Sequence, residues 1–290
     1  MTTKLLPAAV FAFLIFIFAF AAPAATTINA ANKSAYAANL GWIDWRSDTN
    51  NGAVIGQYVC TGYIYSANVG WIFLGSGAPA NQIQYQNNSA TDCGVNHDGA
   101  GNLRGFAYGA NIGWINFVDN GAPALDLLTG KLSGSIYSAN CGWISLSNAA
   151  AFVQTDTMNQ GALAPNGLPI AWLLNNFGTT NVSASADPDA DGMSNQQEYL
   201  AGTDPNNSRS NFKITAYRIL PGGTSVSLTW SSVLTRLYAI QKNPDLATTN
   251  WTDSGLGLIA PSSPTTGTGF ADTNAPVRFY RVRAVLPLQP

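Results

Sequence analysis

One phrase of eight residues occurs four times between residues 35 and 146, and it restricts the fold more than any other feature of the chain. Every copy reads Tyr-x-x-Asn-x-Gly-Trp-Ile. The tryptophans of the first two copies are 29 residues apart, and the third and fourth copies repeat this pair 72 residues later. Such fixed spacing indicates the tandem duplication of a unit that contains two copies. The four tryptophans are Trp42, Trp71, Trp114 and Trp143.

Each copy predicts a β-hairpin, with a strand on either side of a tight turn. The Asn and the Gly tolerate positive φ, which a turn between twisted strands requires. An Ile follows each Trp, and alternate residues of a strand share a face. We therefore expect this Ile and the third residue after each Trp to face the core, with the Trp on the opposite face. The residues at the third position are Trp45, Leu74, Phe117 and Leu146.

The residue opposite each Trp across its hairpin depends on the length of the loop. A loop with an even number of residues would place each Trp opposite a small residue and each Tyr beside an Ile on the core face. The small residues are Ala37, Ser66, Gly109 and Ser138. Two roles for the tryptophans remain open. They form a second packing layer that supports the strands, or they form an aromatic platform for sugar rings.

The hairpins predict a mainly β domain over residues 25–155, an internally duplicated antiparallel barrel or sandwich. A small propeller is the alternative. Residues 82–85 and 125–132 are predicted to add strands between the hairpins. The chain has three cysteines. Cys141 occupies a position that is Leu, Val or Ile in the other copies, so we expect it to be a buried apolar residue. Cys60 and Cys93 then either form a disulfide or stay free.

The first 24 residues have the pattern of a signal peptide. Lys4 precedes an apolar run over residues 5–22, and Ala22-Pro23-Ala24 has the small residues of a cleavage site. An uncleaved anchor is the alternative, because the run approaches the roughly 18 residues that span a bilayer. We expect a secreted or cell-surface protein with no membrane span after removal of the signal. A net charge of −2 and the lack of a basic run argue against binding to nucleic acid.

Glu198 is the single glutamate of the chain, and it stands at the twelfth position of an acidic loop over residues 187–198. Five of the fifteen acidic residues fall within residues 187–204, in a chain that is only 10% charged. The loop has the spacing of an EF-hand calcium loop, in which Gly192 permits the sharp turn and Glu198 coordinates with both carboxylate oxygens. The predicted calcium ligands are Asp187, Asp189, Asp191, the Met193 carbonyl, Asn195 and Glu198.

Helical patterns flank this loop. Residues 170–178 show helical spacing of apolar residues and end at Gly178, and a short helix is predicted from Asn195 to Ala201 before Gly202. The motif from Asp187 to Pro205 resembles the thrombospondin type 3-like or dockerin-like calcium repeats of secreted bacterial proteins. Dockerins carry two such loops and type 3 repeats come in arrays, whereas this chain has one. We therefore expect a structural calcium site between two β-domains, and not docking to a cohesin.

Residues 156–208 are assigned to this linker and helix-loop-helix module, and residues 209–290 to a third domain. Alternating residues predict strands at 225–230, 237–241 and 279–285, with Trp230 and Trp251 in the core. This region resembles a fibronectin type III or immunoglobulin-like β-sandwich. In exported bacterial proteins the resemblance implies a spacer or attachment domain.

Catalytic groups are sparse in the sequence. His97 is the single histidine, and we expect a surface residue in a turn shaped by Asp98. A pair of carboxylates for glycoside hydrolysis would have to come from Asp44, Asp119 or Asp126, at positions that vary between the repeats. We expect a secreted, non-catalytic, calcium-stabilised modular protein of the cell surface or extracellular matrix. A carbohydrate-binding module that uses the repeat tryptophans is the alternative, with polysaccharide or cell-surface components as partners, and a hydrolase is the third reading.

Overall fold

The computed structural model describes residues 25–117, 119–272 and 279–289, and the chain is mainly β. The predicted signal peptide, residues 1–24, lies outside the described residues. Among the described residues, no helix combines the length and the apolar character needed to cross a membrane. The described strands are β1 (Ile28–Ala37), β2 (Gly41–Asp44), β3 (Gly62–Ser66), β4 (Gly70–Gly75), β5 (Val95–His97), β6 (Leu103–Gly109), β7 (Gly113–Phe117), β8 (Ala124–Leu125), β9 (Leu132–Ser133), β10 (Ser135–Ser138), β11 (Gly142–Ser145), β12 (Val153–Thr155), β13 (Ile214–Ile219), β14 (Ser225–Ser231), β15 (Leu237–Asn243), β16 (Thr252–Ile259), β17 (Thr265–Ala271) and β18 (Phe279–Val285).

The four repeats form a closed antiparallel barrel of eight strands. Each repeat supplies one hairpin, namely β1–β2, β3–β4, β6–β7 and β10–β11. Neighbouring hairpins pair edge to edge, and β11 pairs with β1 to close the circle. β12 extends the sheet beside the first part of β1, and β5 pairs with β6. The prediction of an antiparallel barrel or sandwich is thus confirmed in its barrel form.

Side chains fill the inside of the barrel, as expected for a barrel of eight strands. The Ile after each repeat Trp is at most 1% exposed, and so are Trp45, Leu74, Phe117 and Leu146. All eight belong to one hydrophobic cluster. The predicted core face is therefore correct in every repeat. Cys141 is also buried in this cluster, as predicted from the apolar residues at the same position of the other copies.

The register of the hairpins differs from the even-loop expectation. Ala37 pairs with Gly41 across a loop of three residues, so Tyr36 and not Ala37 lies opposite Trp42. The same pairing joins Tyr to Trp in the other three hairpins. A shift of one residue moves a side chain to the other face of a strand. Each Tyr therefore lies outside the barrel with its Trp, and the small residues face inward.

The Asn and the Gly of each turn have different roles, whereas both were predicted to tolerate positive φ. Gly41, Gly70, Gly113 and Gly142 adopt φ between 71° and 79°, which favours glycine, whereas the Asn of each turn does not have positive φ. Each Asn instead donates its side-chain N–H to a backbone carbonyl in the turn of the neighbouring hairpin, at 2.9 to 3.1 Å. We call these four bonds the asparagine ring. The pairs are Asn39 with Cys141, Asn68 with Leu40, Asn111 with Val69, and Asn140 with Ile112.

The connections between hairpins are less regular than predicted. Residues 82–85 do not form a strand, since residues 82–84 are bends and Gln82 has a φ of 60°. Residues 125–132 contain a small hairpin between β8 and β9 in place of one strand. The disulfide between Cys60 and Cys93 is not formed. The Cys60 side chain is buried in the barrel core, while Cys93 is half-exposed on a loop with its thiol directed at the Ala90 carbonyl.

Two short helices follow the barrel, α1 (Ile170–Phe177) and α2 (Asn195–Ala201), as predicted. Gly178 and Gly202 end them in the left-handed conformation. α2 begins with a capping box, in which Ser194 and Gln197 each bond the other's backbone N–H.

The remaining strands form two three-stranded antiparallel sheets, ordered β13-β14-β17 and β16-β15-β18. Side chains of β14, β15 and β17 share one hydrophobic cluster that contains Trp230, which is fully buried as predicted. The prediction for Trp251 is wrong, because this residue is only half-buried and lies under the guanidinium of Arg281. The segment after β18 returns to the first part of the molecule. Leu286 packs against the helices, and the Leu288 carbonyl accepts a hydrogen bond from the Met158 N–H.

Candidate functional site

The acidic loop before α2 gathers three carboxylates. Asp187, Asp189 and Asp191 each offer one oxygen, and these oxygens lie within 4.8 Å of one another. The Asp187 carboxylate accepts hydrogen bonds from the N–H groups of Asp191 and Gly192 at 3.2 and 2.9 Å, which folds the loop back on its first residue. Gly192 has a φ of 95°, so a glycine suits the sharp turn at this position. The loop is therefore held in shape by hydrogen bonds between the Asp187 side chain and the backbone of the loop.

Several buried oxygens of this segment have no hydrogen-bond partner within the described structure. Both carboxylate oxygens of Glu198 are in this state, although the residue is fully buried. The others are Asp189 Oδ2, Asp191 Oδ2, Asn195 Oδ1 and Thr203 Oγ1. A buried carboxylate without a donor is costly unless a cation neutralises it. The donor set, carboxylates with amide and hydroxyl oxygens, is the one that Ca²⁺ prefers.

The charges in this segment repel one another. Burial, and then the charges of Asp189, Asp191 and Asp204, raise the pKa of Glu198 to about 7, against the opposing effect of the nearby Thr203 hydroxyl. Burial and the charge of Asp191 also raise the pKa of Asp189. A raised carboxyl pKa means that the anionic form is disfavoured. A cation bound beside these carboxylates would favour the anionic form.

The other predicted ligands occupy defined places. Asn195 donates its side-chain N–H to the Ser183 carbonyl at 2.8 Å, which leaves its carbonyl oxygen without a partner. The Met193 N–H donates to Asp191 Oδ1 at 2.8 Å, and its sulfur accepts from the Phe212 N–H at 3.3 Å. Thr203 was missed because it follows the twelve-residue pattern. Its backbone N–H donates to the Glu198 carbonyl at 3.1 Å, so the hydrogen-bonded turn at the end of α2 brings Thr203 close to Glu198.

Tyr199 connects the acidic segment with both β regions. Its hydroxyl donates to Gln57 Oε1 in the barrel region at 2.9 Å, and its ring meets that of Trp172 in α1 at 5.7 Å. Arg236, from the C-terminal sheets, donates to the backbone carbonyls of Tyr199 and Leu200. The residue next to Glu198 is thus held by the barrel, by α1 and by the C-terminal sheets at once.

The four repeat tryptophans lie on the outer surface of the barrel and are 46% to 53% exposed. Each contacts the Tyr opposite it in the same hairpin, with ring centroids 4.9 to 5.0 Å apart and planes inclined by 58° to 61°. Tyr and Trp alternate around the barrel because the strands of each hairpin contribute one of each. We call these eight residues the aromatic belt. Its members are Tyr36, Trp42, Tyr65, Trp71, Tyr108, Trp114, Tyr137 and Trp143.

Two cavities border the barrel surface. The larger, about 850 Å³, lies between hairpin β3–β4 and the linker before α1, and Tyr63 and Phe73 line it. The smaller, about 400 Å³, is lined by Phe106, Trp114 and the loop around Asn88. Tyr63, Phe73 and Phe106 were not predicted as site residues. They could have been found by aligning the repeats, because the outward positions beside the Tyr and the Trp differ between copies.

The residues weighed for catalysis have other contacts. The prediction that His97 lies on the surface is wrong, because the residue is buried. Its Nδ1 lies 3.0 Å from the Gly56 carbonyl oxygen, and its Nε2 accepts a hydrogen bond from the Gly101 N–H at 3.1 Å. Burial lowers the pKa of His97. Asp98 does shape the adjoining turn, as predicted. Asp44 pairs with Lys33 at 2.7 Å, and Asp126 accepts N–H bonds within its own turn. The side chain of Asp119 lies outside the described structure.

Comparison of the chain with models of protein families, with curated proteins and with solved structures gave no match. Inference about function therefore depends on the acidic segment, the aromatic belt and the cavities.

Proposed function

We propose that the chain is a secreted, non-catalytic modular protein of the cell surface or extracellular matrix, in which one calcium ion stabilises the junction between two β-domains. The observation that carries this proposal is the Glu198 carboxylate, which is fully buried with both oxygens lacking a donor. The resemblance of residues 187–205 to thrombospondin type 3-like and dockerin-like repeats supports the same ion. So does the signal-peptide pattern, since extracellular calcium keeps a weak site occupied.

The ion would be held by Asp187, Asp189, Asp191, the Met193 carbonyl, Asn195 and Glu198, with the Thr203 hydroxyl as a further oxygen nearby. Its charge would offset the burial and the neighbouring negative charges that raise the pKa of Glu198. It would also fix the first turn of α2, and with it Tyr199. Because Tyr199 contacts the barrel through Gln57 and the C-terminal sheets through Arg236, an ordered α2 sets the relation between the two β regions.

Isothermal titration of the full chain with CaCl₂, after removal of metal by a chelator, tests the calcium site. We expect one site with a Kd of about 10⁻⁴ to 10⁻³ M, the range of extracellular modules. Glu198→Gln keeps the size of the side chain and should weaken binding at least about tenfold. Asp245→Asn removes the same charge from an exposed turn and should leave the Kd unchanged. Binding by the Glu198 variant as tight as by the unmodified chain would rule out this site.

The second candidate function is binding of polysaccharide by the outer surface of the barrel. The exposure of the four repeat tryptophans favours it, since a second packing layer would cover these rings. Aromatic side chains with one exposed face suit the apolar faces of sugar rings. Affinity electrophoresis against neutral and acidic soluble polysaccharides, with tryptophan fluorescence as the second readout, tests this function. Retarded migration in at least one gel is expected, and none in any gel would end the hypothesis.

A further inference from the structure

The four hairpins have the same outer Tyr and Trp, but they differ at two neighbouring outward positions. The position two residues before the Tyr is Ser34, Tyr63, Phe106 and Ser135 in the four copies, in order. The position two residues after the Trp is Asp44, Phe73, Asn116 and Ser145. The second and third hairpins therefore carry three additional aromatic residues, and the first and fourth carry none at these positions. The four hairpins are therefore alike in their outer Tyr and Trp, but the second and third differ from the first and fourth at these two positions.

The additional rings contact those of the belt within each of the two hairpins, and the two groups of rings lie side by side on the barrel surface. Tyr63 contacts Phe73 with centroids 5.1 Å apart and Trp71 at 6.3 Å, and Phe106 contacts Trp114 at 6.0 Å. The two hairpins meet where Phe73 of β4 pairs with Tyr108 of β6. We call this surface the central aromatic face. Its members are Tyr63, Tyr65, Trp71, Phe73, Phe106, Tyr108 and Trp114.

The two cavities of the barrel surface lie beside this same face. Tyr63 and Phe73 line the larger cavity, and Phe106 and Trp114 line the smaller one. The strands that carry these four residues, β3, β4, β6 and β7, are neighbours in the sheet. With strands ~4.8 Å apart, the face is about 14 Å wide. This width suits several linked sugar rings.

The chemistry of the lining selects the class of ligand. Within the described part of the chain, no Asp, Glu, Lys, Arg or His lines either cavity. The polar groups are amides and hydroxyls instead, among them Asn51, Gln82 and Asn159 in the larger cavity and Asn88 and Ser89 in the smaller. Amides donate and accept hydrogen bonds without charge, which matches the hydroxyls of a neutral sugar. A charged ligand would find no counter-ion in either cavity.

We propose that the central aromatic face and its two flanking cavities form one binding site for an uncharged polysaccharide, while the first and fourth hairpins do not contact the ligand. The inference depends on the polysaccharide-binding function proposed above and assigns it to one side of the barrel. The aromatic rings stack on successive sugar rings, and the amides of the cavities bond the hydroxyls at either end.

The repeats supply substitutions that the barrel already tolerates. Phe73→Ser introduces the residue found at the equivalent position of the fourth hairpin, Ser145, and Phe106→Ser introduces that of the first and fourth, Ser34 and Ser135. These variants should fold, with unchanged circular dichroism and melting temperature. Trp114→Ala and Trp143→Ala form a matched pair, since the two residues have the same strand position and similar exposure, and Trp114 lines the smaller of the two cavities described above whereas Trp143 lines neither.

The Kd of each variant of the full chain for the neutral polysaccharide that binds best is measured by fluorescence titration. Phe73→Ser, Phe106→Ser and Trp114→Ala should each weaken binding about tenfold, and Trp143→Ala less than twofold. Equal losses for Trp114→Ala and Trp143→Ala would overturn the inference in favour of the whole belt, with polysaccharide binding retained. Preference for an acidic polysaccharide, or binding of none, would also overturn it. So would self-association in sedimentation experiments that Phe73→Ser and Phe106→Ser abolish, because the face would then serve a second copy of the chain.

Discussion

The turns of the barrel and the acidic loop both reverse the chain with a left-handed glycine, yet they treat their polar side chains in opposite ways. In the asparagine ring every amide finds a carbonyl of the next hairpin, at 2.9 to 3.1 Å. In the acidic loop Asp189, Asp191 and Glu198 keep buried oxygens without a donor. The first arrangement is complete within the protein, and the second leaves acceptor oxygens that the proposed cation would neutralise.

This difference indicates how each region obtains its stability. The barrel has a single large apolar core and a closed circle of strands, so it depends on packing and on its own hydrogen bonds. The acidic segment has only short helices around a small cluster, and burial raises the pKa of its Glu198 carboxyl. The two regions should therefore respond independently to substitution and to calcium.

The largest effect is expected from the barrel core. Ile115 is fully buried after the third repeat Trp, and Ile115→Ala should lower the free energy of unfolding by about 2 to 5 kcal/mol through the lost contacts and the cavity left behind. Urea denaturation measures this loss. Leu128→Ala, at an exposed turn, is the control and should change stability by less than ~0.5 kcal/mol. The calcium Kd of Ile115→Ala should equal that of the unmodified chain, and a large change would show that the two regions are coupled.

The next largest effect is expected from calcium. An ion that binds only the folded state stabilises it by about 2.7 kcal/mol at a concentration of 100 Kd. Hydrogen exchange in calcium and in chelator locates the effect. Protection should fall at residues 187–204 in chelator, whereas the amides of the barrel strands keep theirs. Glu198→Gln should resemble the chelated protein in both solutions. Uniform loss across the barrel, or none in the loop, would contradict the proposed separation.

The sequence predicted the repeated part of the fold well because the period of a strand determines its faces. Ile43 and its three equivalents are buried as the alternation requires. The same alternation could not decide whether Trp42 would be covered, because a residue on the outer face can be buried by segments that are far away in the sequence. The sequence left the register of the hairpins conditional on the loop length, because a phrase such as Asn39-Leu40-Gly41 suits loops of more than one length, and the loop has three residues and not an even number.

In the candidate site, the spacing of the acidic residues brings Asp187, Asp189 and Asp191 together, whereas Glu198 is not part of that cluster. The two helices lie where local apolar spacing and the glycine stops predicted them. Thr203 lay beyond the pattern. The cavities beside Phe73 and Phe106 form where separate segments meet, and only the three-dimensional structure reveals such sites. The bond from Asn39 to Cys141 joins residues 102 positions apart, and spacing along the chain carries no trace of it.

The smallest predicted effect tests whether the asparagine ring is as symmetric as its geometry. Each Asn makes one side-chain hydrogen bond of similar length to a neighbouring turn, so removing any of them should cost a similar amount. We expect Asn39→Ala, Asn68→Ala, Asn111→Ala and Asn140→Ala each to lower the free energy of unfolding by about 0.5 to 1.5 kcal/mol. The loss should be the same in calcium and in chelator, because the ring does not contact the acidic segment. Asn250→Ala, in an exposed loop, controls for the removal of an amide. If Asn39→Ala alone were costly, the closure between β11 and β1 would be the weak point of the barrel, and the four hairpins would not be energetically equivalent.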